Sequence, residues 1–116
     1  MANVSEGTSG TVDAADNYQL GDVGPRGGAW TIQLDSSSFS GSITIVGRAK
    51  GATTYRQILY RPLFLNNSVA ASTDEVSTAI TNSSLVQVVV ADGMEIGINC
   101  GSYTSGTMAY FASPAS

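Results

Sequence analysis

A chain of 116 residues fits one domain and can bury roughly two thirds of its unfolded surface without covalent staples. Its single cysteine and its lack of histidine exclude an intrachain disulfide, a zinc cluster, a redox pair and a Ser–His nucleophile. Five basic against nine acidic residues, a net charge of −4 and only 12% charged side chains exclude the clustered Lys and Arg of a nucleic-acid binder.

Residues 1–28 hold little apolar material and are glycine-rich, with Gly21, Gly24, Gly27 and Gly28 close together. They are expected to form an extended arm with one short strand at Asn17–Leu20. The start of the chain lacks the basic and apolar regions of a signal peptide, and no apolar run has the length of a membrane span. A cytosolic product without membrane contact is expected, which makes the sequons at Asn3, Asn66 and Asn82 chance matches.

From Ala29 to Asp35 the apolar set Trp30, Ile32 and Leu34 alternates with Thr31, Gln33 and Asp35, the pattern of a half-buried strand. Ser36–Ser38 interrupt it. Phe39-Ser40-Gly41 then turns into Ile43, Ile45 and Gly47, opposite Thr44 and Arg48. After a turn at Ala49–Ala52, Thr54–Arg61 predicts a strand that ends at Pro62, because proline cannot donate to a ladder. Leu63–Leu65 continues it past a bulge, and Asn66-Asn67-Ser68 turns the chain.

Residues 69–83 contain a possible short helix capped by Ser72 or Thr73, but their Ser and Thr content favours an irregular loop with a short strand. Leu85–Val90 is the most β-prone segment and is expected to be central. Asp92-Gly93 predicts a hairpin turn into Met94, Ile96, Ile98 and Cys100, which makes Cys100 a small buried hydrophobe. Ser105-Gly106 is a second Ser–Gly turn, launching a strand from Thr107 to Ala112 before a tail at 113–116. About seven to eight short strands with no credible helix predict an all-β fold, an antiparallel β-sandwich or jelly roll. The expected organisation is an N-terminal arm, 1–28, and a β-sandwich domain, 29–116.

Catalytic and ligand motifs are weak. Lys50, the sole lysine, lies in a turn-like loop; Asp74-Glu75 are adjacent loop acids; Asp92 and Glu95 flank a turn. Gly21–Gly28 lacks the Lys-Ser/Thr pair of a phosphate loop, and no Asp-x-Asp spacing marks a calcium site. A non-enzymatic protein without metal or cofactor is expected. Its weakly charged, Ser- and Thr-rich surface suits packing against neighbours. The candidate partner-binding residues are Tyr55, Arg56, Tyr60 and Arg61, with Arg48, and Tyr18 and Arg26 of the arm, since Tyr and Arg are enriched at interface centres. The plainer alternative makes the tyrosines half-core residues and the arginines solubilising groups.

Phe39-Ser40-Gly41-Ser42-Ile43-Thr44-Ile45-Val46-Gly47-Arg48 and Tyr103-Thr104-Ser105-Gly106-Thr107-Met108-Ala109-Tyr110 resemble the F-x-G-x-I-x-I-x-G strand and the closing Y-x-S-G-T hairpin of small β-sandwich structural proteins of tailed bacteriophages. The resemblance covers roughly residues 29–112. Where such proteins often carry a Ser-x-Asp-Gly turn and a tryptophan, this chain has Arg48-Ala49-Lys50-Gly51 and Tyr55. The resemblance implies a virion component, a capsid decoration or cement protein made in the host cytoplasm. Its partners would be the major capsid protein and itself, as a dimer or trimer, with the arm reaching across a neighbour. A rival expectation is a carbohydrate- or receptor-binding module of a tail fibre or baseplate, with Trp30, Tyr55, Tyr60 or Tyr103 as stacking platforms.

Overall fold

In the computed structural model, which describes residues 8–22, 28–69, 74–90 and 93–114, eight strands form one antiparallel sheet, and no helix occurs among these residues. In chain order they are β1 (Thr8–Val12), β2 (Asn17–Asp22), β3 (Gly28–Ala49), β4 (Arg56–Gln57), β5 (Arg61–Leu65), β6 (Ser68–Val69), β7 (Ser84–Val90) and β8 (Met94–Pro114). The all-β antiparallel class expected from alternation is the class observed, but two strands are far longer than expected. β3 has 22 residues and β8 has 21, and they pair from Trp30 opposite Pro114 to Ala49 opposite Met94. The serines expected to separate two strands lie inside this ladder, as do Ser113 and Pro114 of the expected tail.

The ladder bends in its middle. Register shifts fall between Ser37 and Ser40, Ser40 and Gly41, and Ser42 and Ile43; each such irregularity bends and twists a strand. Ser38 (φ 56°) and Gly106 (φ 77°) take left-handed conformations at the bend, and a Cβ at Gly106 would lie 2.0 Å from the Ser38 carbonyl oxygen. Tyr103 Oη donates to the Gly106 carbonyl at 2.8 Å, and its ring meets that of Phe39 at 6.2 Å between centroids. The two Ser–Gly sites, expected as separate turns, are therefore opposed halves of one kink, with Ser40 paired to Ser105. The kink also changes the inward phase of β3: Trp30, Ile32 and Leu34 are buried, then Phe39, Ile43 and Ile45.

Two half-sheets share the long strands. In the first half β1, β7, β5 and β6 extend the ladder; in the second, β2 and β4 flank it. Their inner faces form one core, in which Ile32, Leu34, Val86 and Met108 of the first half join Ile43, Ile45, Ile96 and Ile98 of the second. Each fully buried side chain of this size contributes about 1.5–3 kcal/mol by leaving water. Cys100 is buried in the same core.

Three expectations need correction. Residues 8–22 are not a detached arm: β1 pairs with β8 over 108–112 and β2 over 95–99, and Val12 and Leu20 are fully buried. They give the long strand β8 a second neighbour in each half, at 95–99 and at 108–112, which covers much of its outer edge. Thr54–Arg61 is not one strand either. β4 pairs with Val46 and Gly47 in the second half, whereas β5 pairs with β7 in the first, so the chain crosses between halves at Ile58–Tyr60.

Pro62, expected to end a strand, sits within β5. The Tyr60 N–H and C=O both bond to Val76, so by alternation the missing N–H of Pro62 also points away from β7 and interrupts no bond of that ladder. The expected bulge after it is present, between Pro62 and Phe64. Asn66 (φ 49°) and Asn67 (φ 64°) make the expected turn, a two-residue hairpin loop of the type that matches strand twist. Residues 74–83 are irregular, with isolated bridges at Val76 and Ile80. The candidate caps Ser72 and Thr73, the turn residue Asp92 and the candidate contact Arg26 lie outside the described residues.

Candidate functional site

With the inner faces spent on the core, any site must lie on the outer faces, and the two halves differ there. Across the first half, register places Ser9, Phe111, Gln33, Leu85, Phe64 and Val69 in one row that crosses all six strands. Paired residues share a face, and Phe111 alternates with the buried Tyr110 and Ala112, so this row points outward. None of its side chains is charged. Val69 is 80% exposed, Val89 68% and Phe111 50%, an apolar surface that folding of one chain leaves largely in water. Beside Phe111 a shallow depression of about 370 Å³ is lined by Thr31, Gln33 and Leu85. Arg61 pairs with Gln87 in the adjacent row and is exposed. Exposed apolar patches with polar rims mark interaction surfaces.

The second half is covered differently. The segment after β3 folds back so that the Tyr55 ring rests on Gly97, where a Cβ would lie 3.0 Å from the Tyr18 carbonyl oxygen and 3.3 Å from Tyr55 Cε1; a larger residue would push these neighbours back by a few tenths of an ångström. The Arg48 guanidinium stands over the same ring, 4.2 Å from its centroid, and its Nε donates to Glu95 Oε1 at 2.7 Å. That hydrogen bond raises the Arg48 pKa. Burial raises that of Tyr55, and the Arg48 charge opposes the shift. The Tyr55 hydroxyl is buried and makes no hydrogen bond to described protein atoms. Beside this ring opens a polar cleft of about 400 Å³. Asn17, Asn99 and Thr44 form its floor as one cross-strand row, with Asn99 Nδ2 donating to Asn17 Oδ1 at 2.7 Å.

Of the seven candidate residues read from the sequence, the six that are described are dispersed. Arg48 and Tyr55 come together at the cleft. Arg56 is exposed on the short strand β4, and Arg61 belongs to the apolar face of the other half. Tyr60 is 1% exposed, and its hydroxyl donates to the Thr78 carbonyl; burial pushes its pKa up to about 12. It is a core residue at the crossing between halves and offers no surface to a partner. Tyr18 leans inward on Tyr110, 6.1 Å between ring centroids, and its hydroxyl donates to the Ala14 carbonyl at 3.1 Å. Among the proposed stacking platforms Trp30 is also buried. Among the described residues no three His, Cys, Asp or Glu side chains gather as a metal site.

Sequence reasoning missed the apolar row and the amide pair. A signal for the first was present: Leu85–Val90 carries apolar residues in both phases of its alternation, so one set had to face outward. Asn17 and Asn99 are far apart in the chain and carry no local sign that they meet.

No protein-family model and no curated protein matches the sequence. The structure is similar to the crystal structure of the SPBc2 prophage-derived protein YomS, with a TM-score of 0.66 at 13% identity, covering 99% of this chain and 98% of that one. The likeness is one of fold, over the full length of both chains.

Proposed function

We propose that this chain is a non-enzymatic phage virion protein, a capsid decoration or cement protein that binds the outer surface of the shell and stabilises it. The observation that carries the reading is the uncharged row through Phe111, Leu85 and Phe64 to Val69, held rigidly on six paired strands. Burying such a row against another protein gains the hydrophobic term with little charge to desolvate. Phage origin is supported by the fold shared with a prophage-derived protein. Arg61 at the margin of the row supplies directed hydrogen bonds, and self-association into a dimer or trimer would repeat the contact by symmetry. In this reading the adhesive element is the first-half outer face, and residues 8–22 act as edge strands of the body.

The test is to add purified chain to virions stripped of it and follow co-sedimentation. Wild type should bind, and Phe111→Asp should not, while its melting temperature stays within a few degrees because half of the Phe111 side chain already meets solvent. Equal retention of the two would remove this face from the account.

A further inference from the structure

The polar cleft of the second half is not used by the adhesive face, and its lining has a consistent chemistry. Amides come from Asn17, Asn99 and Gln57, hydroxyls from Thr44, Thr53 and Thr54, and the apolar walls from Val46 and the Tyr55 ring. Among the described residues no ionisable acid or base lines it apart from the phenol. Arg48, which stands over the Tyr55 ring, is paired with Glu95 at 2.7 Å. From this we propose that the cleft is a binding site for a neutral, hydroxyl-rich ligand, a saccharide unit.

Side-chain amides present a donor and an acceptor side by side, which matches adjacent hydroxyls of a sugar ring. The Asn17–Asn99 bond fixes both amides in place and still leaves donors on both nitrogens and the Asn99 oxygen for a ligand. Gln57 is likewise held, through Nε2 to the Ser77 carbonyl at 2.8 Å. Groups positioned before binding cost less to order on binding. The Tyr55 ring, held between Gly97 and the Arg48 guanidinium, is a fixed wall that presents its edge to the cleft. A volume of about 400 Å³ falls in the range of small-molecule sites, roughly 300–1,000 Å³. A phosphorylated or nucleotide ligand would need a cation in the cleft, and none of the described residues that line it supplies one. The site is independent of the shell-binding reading, since it lies on the other half-sheet and would serve equally on a tail fibre.

The experiment is a ¹H–¹⁵N NMR titration of the full chain with glucose, galactose, N-acetylglucosamine and maltose, with glucose 6-phosphate as the charged counterpart. At least one neutral sugar should bind at about millimolar affinity, shifting the amides of Thr44, Thr54, Gln57 and Asn99. Asn99→Ala should weaken it about tenfold or more, with the remaining spectrum unchanged. Thr54→Val, which removes one exposed hydroxyl without altering shape, should also weaken it. Shifts from none of the four neutral sugars at ~10 mM, shifts confined to residues around Phe111, or binding of glucose 6-phosphate alone would each overturn the proposal. Loss of the cleft should leave particle binding intact, so failure here and failure of the shell-binding reading are separable.

Discussion

Single residues decide the geometry of this sheet at the kink. Gly106 combines a left-handed backbone with a neighbour, the Ser38 carbonyl, that a Cβ would strike at 2.0 Å. Gly51 has a similar φ of 89° and nothing within 4 Å. Gly51→Ala should therefore cost only the backbone penalty, about 1–2 kcal/mol. Gly106→Ala adds a backbone displacement and should cost about 3 kcal/mol or more. Paired thermal melts check this: each kcal/mol lowers the melting temperature by roughly 4 °C in a domain of this size, and equal losses would mean that the Ser38 approach is not a constraint. Tyr60 shows the limit of sequence reasoning at this scale. Its neighbours Arg56 and Arg61 are exposed, and nothing in the local string marks Tyr60 as the residue that turns into the core.

At the scale of elements, alternation was informative wherever a strand packs one face on the core. Trp30, Ile32 and Leu34, and later Ile96 and Ile98, are buried as their spacing implies. The change of phase between Leu34 and Ile43 was also visible, and an odd number of residues inserted into a continuous strand explains it as well as a loop does. Composition was misleading at the N-terminus, because β1 and β2 are held by pairing to β8 and bury only Val12 and Leu20 at full depth. Few apolar residues suffice where the ladder supplies the rest. Leu20→Ala should accordingly cost about 2–5 kcal/mol, the range for truncating a buried Leu. Denaturant unfolding measures it; an effect under about 0.5 kcal/mol, the usual size for a surface change, would return residues 8–22 to an arm. Pairings distant in sequence, such as Asn17 with Asn99 or Ser40 with Ser105, have no local signature at all.

For the whole molecule, buried acids with raised pKa values set an alkaline limit. Burial raises Tyr60 from 10.0 to about 12, and it also raises Tyr18, Tyr55 and Cys100 above their ordinary values. The folded state holds these protons more tightly than the unfolded chain, so the associated stability is complete below about pH 9. It is lost as pH rises from there through about 12. Chemical unfolding across this window should show the decline, and Tyr60→Phe should flatten it while costing about 1 kcal/mol near neutrality through the unpaired Thr78 carbonyl. A variant as pH-sensitive as wild type would contradict the assignment. The two half-sheets present unlike outer faces, one apolar and uncharged along its central row, the other polar with a cleft, and this division organises the functional proposal. Electron cryo-microscopy of intact virions of the proposed source phage tests it most directly. The account predicts copies of the bent sheet on the outside of the shell, with the Phe111–Leu85–Phe64 face against the capsid protein and the Asn17–Asn99 cleft toward solvent. Copies found only at the tail, or shell-bound copies with the Phe111 face turned to solvent, would contradict it.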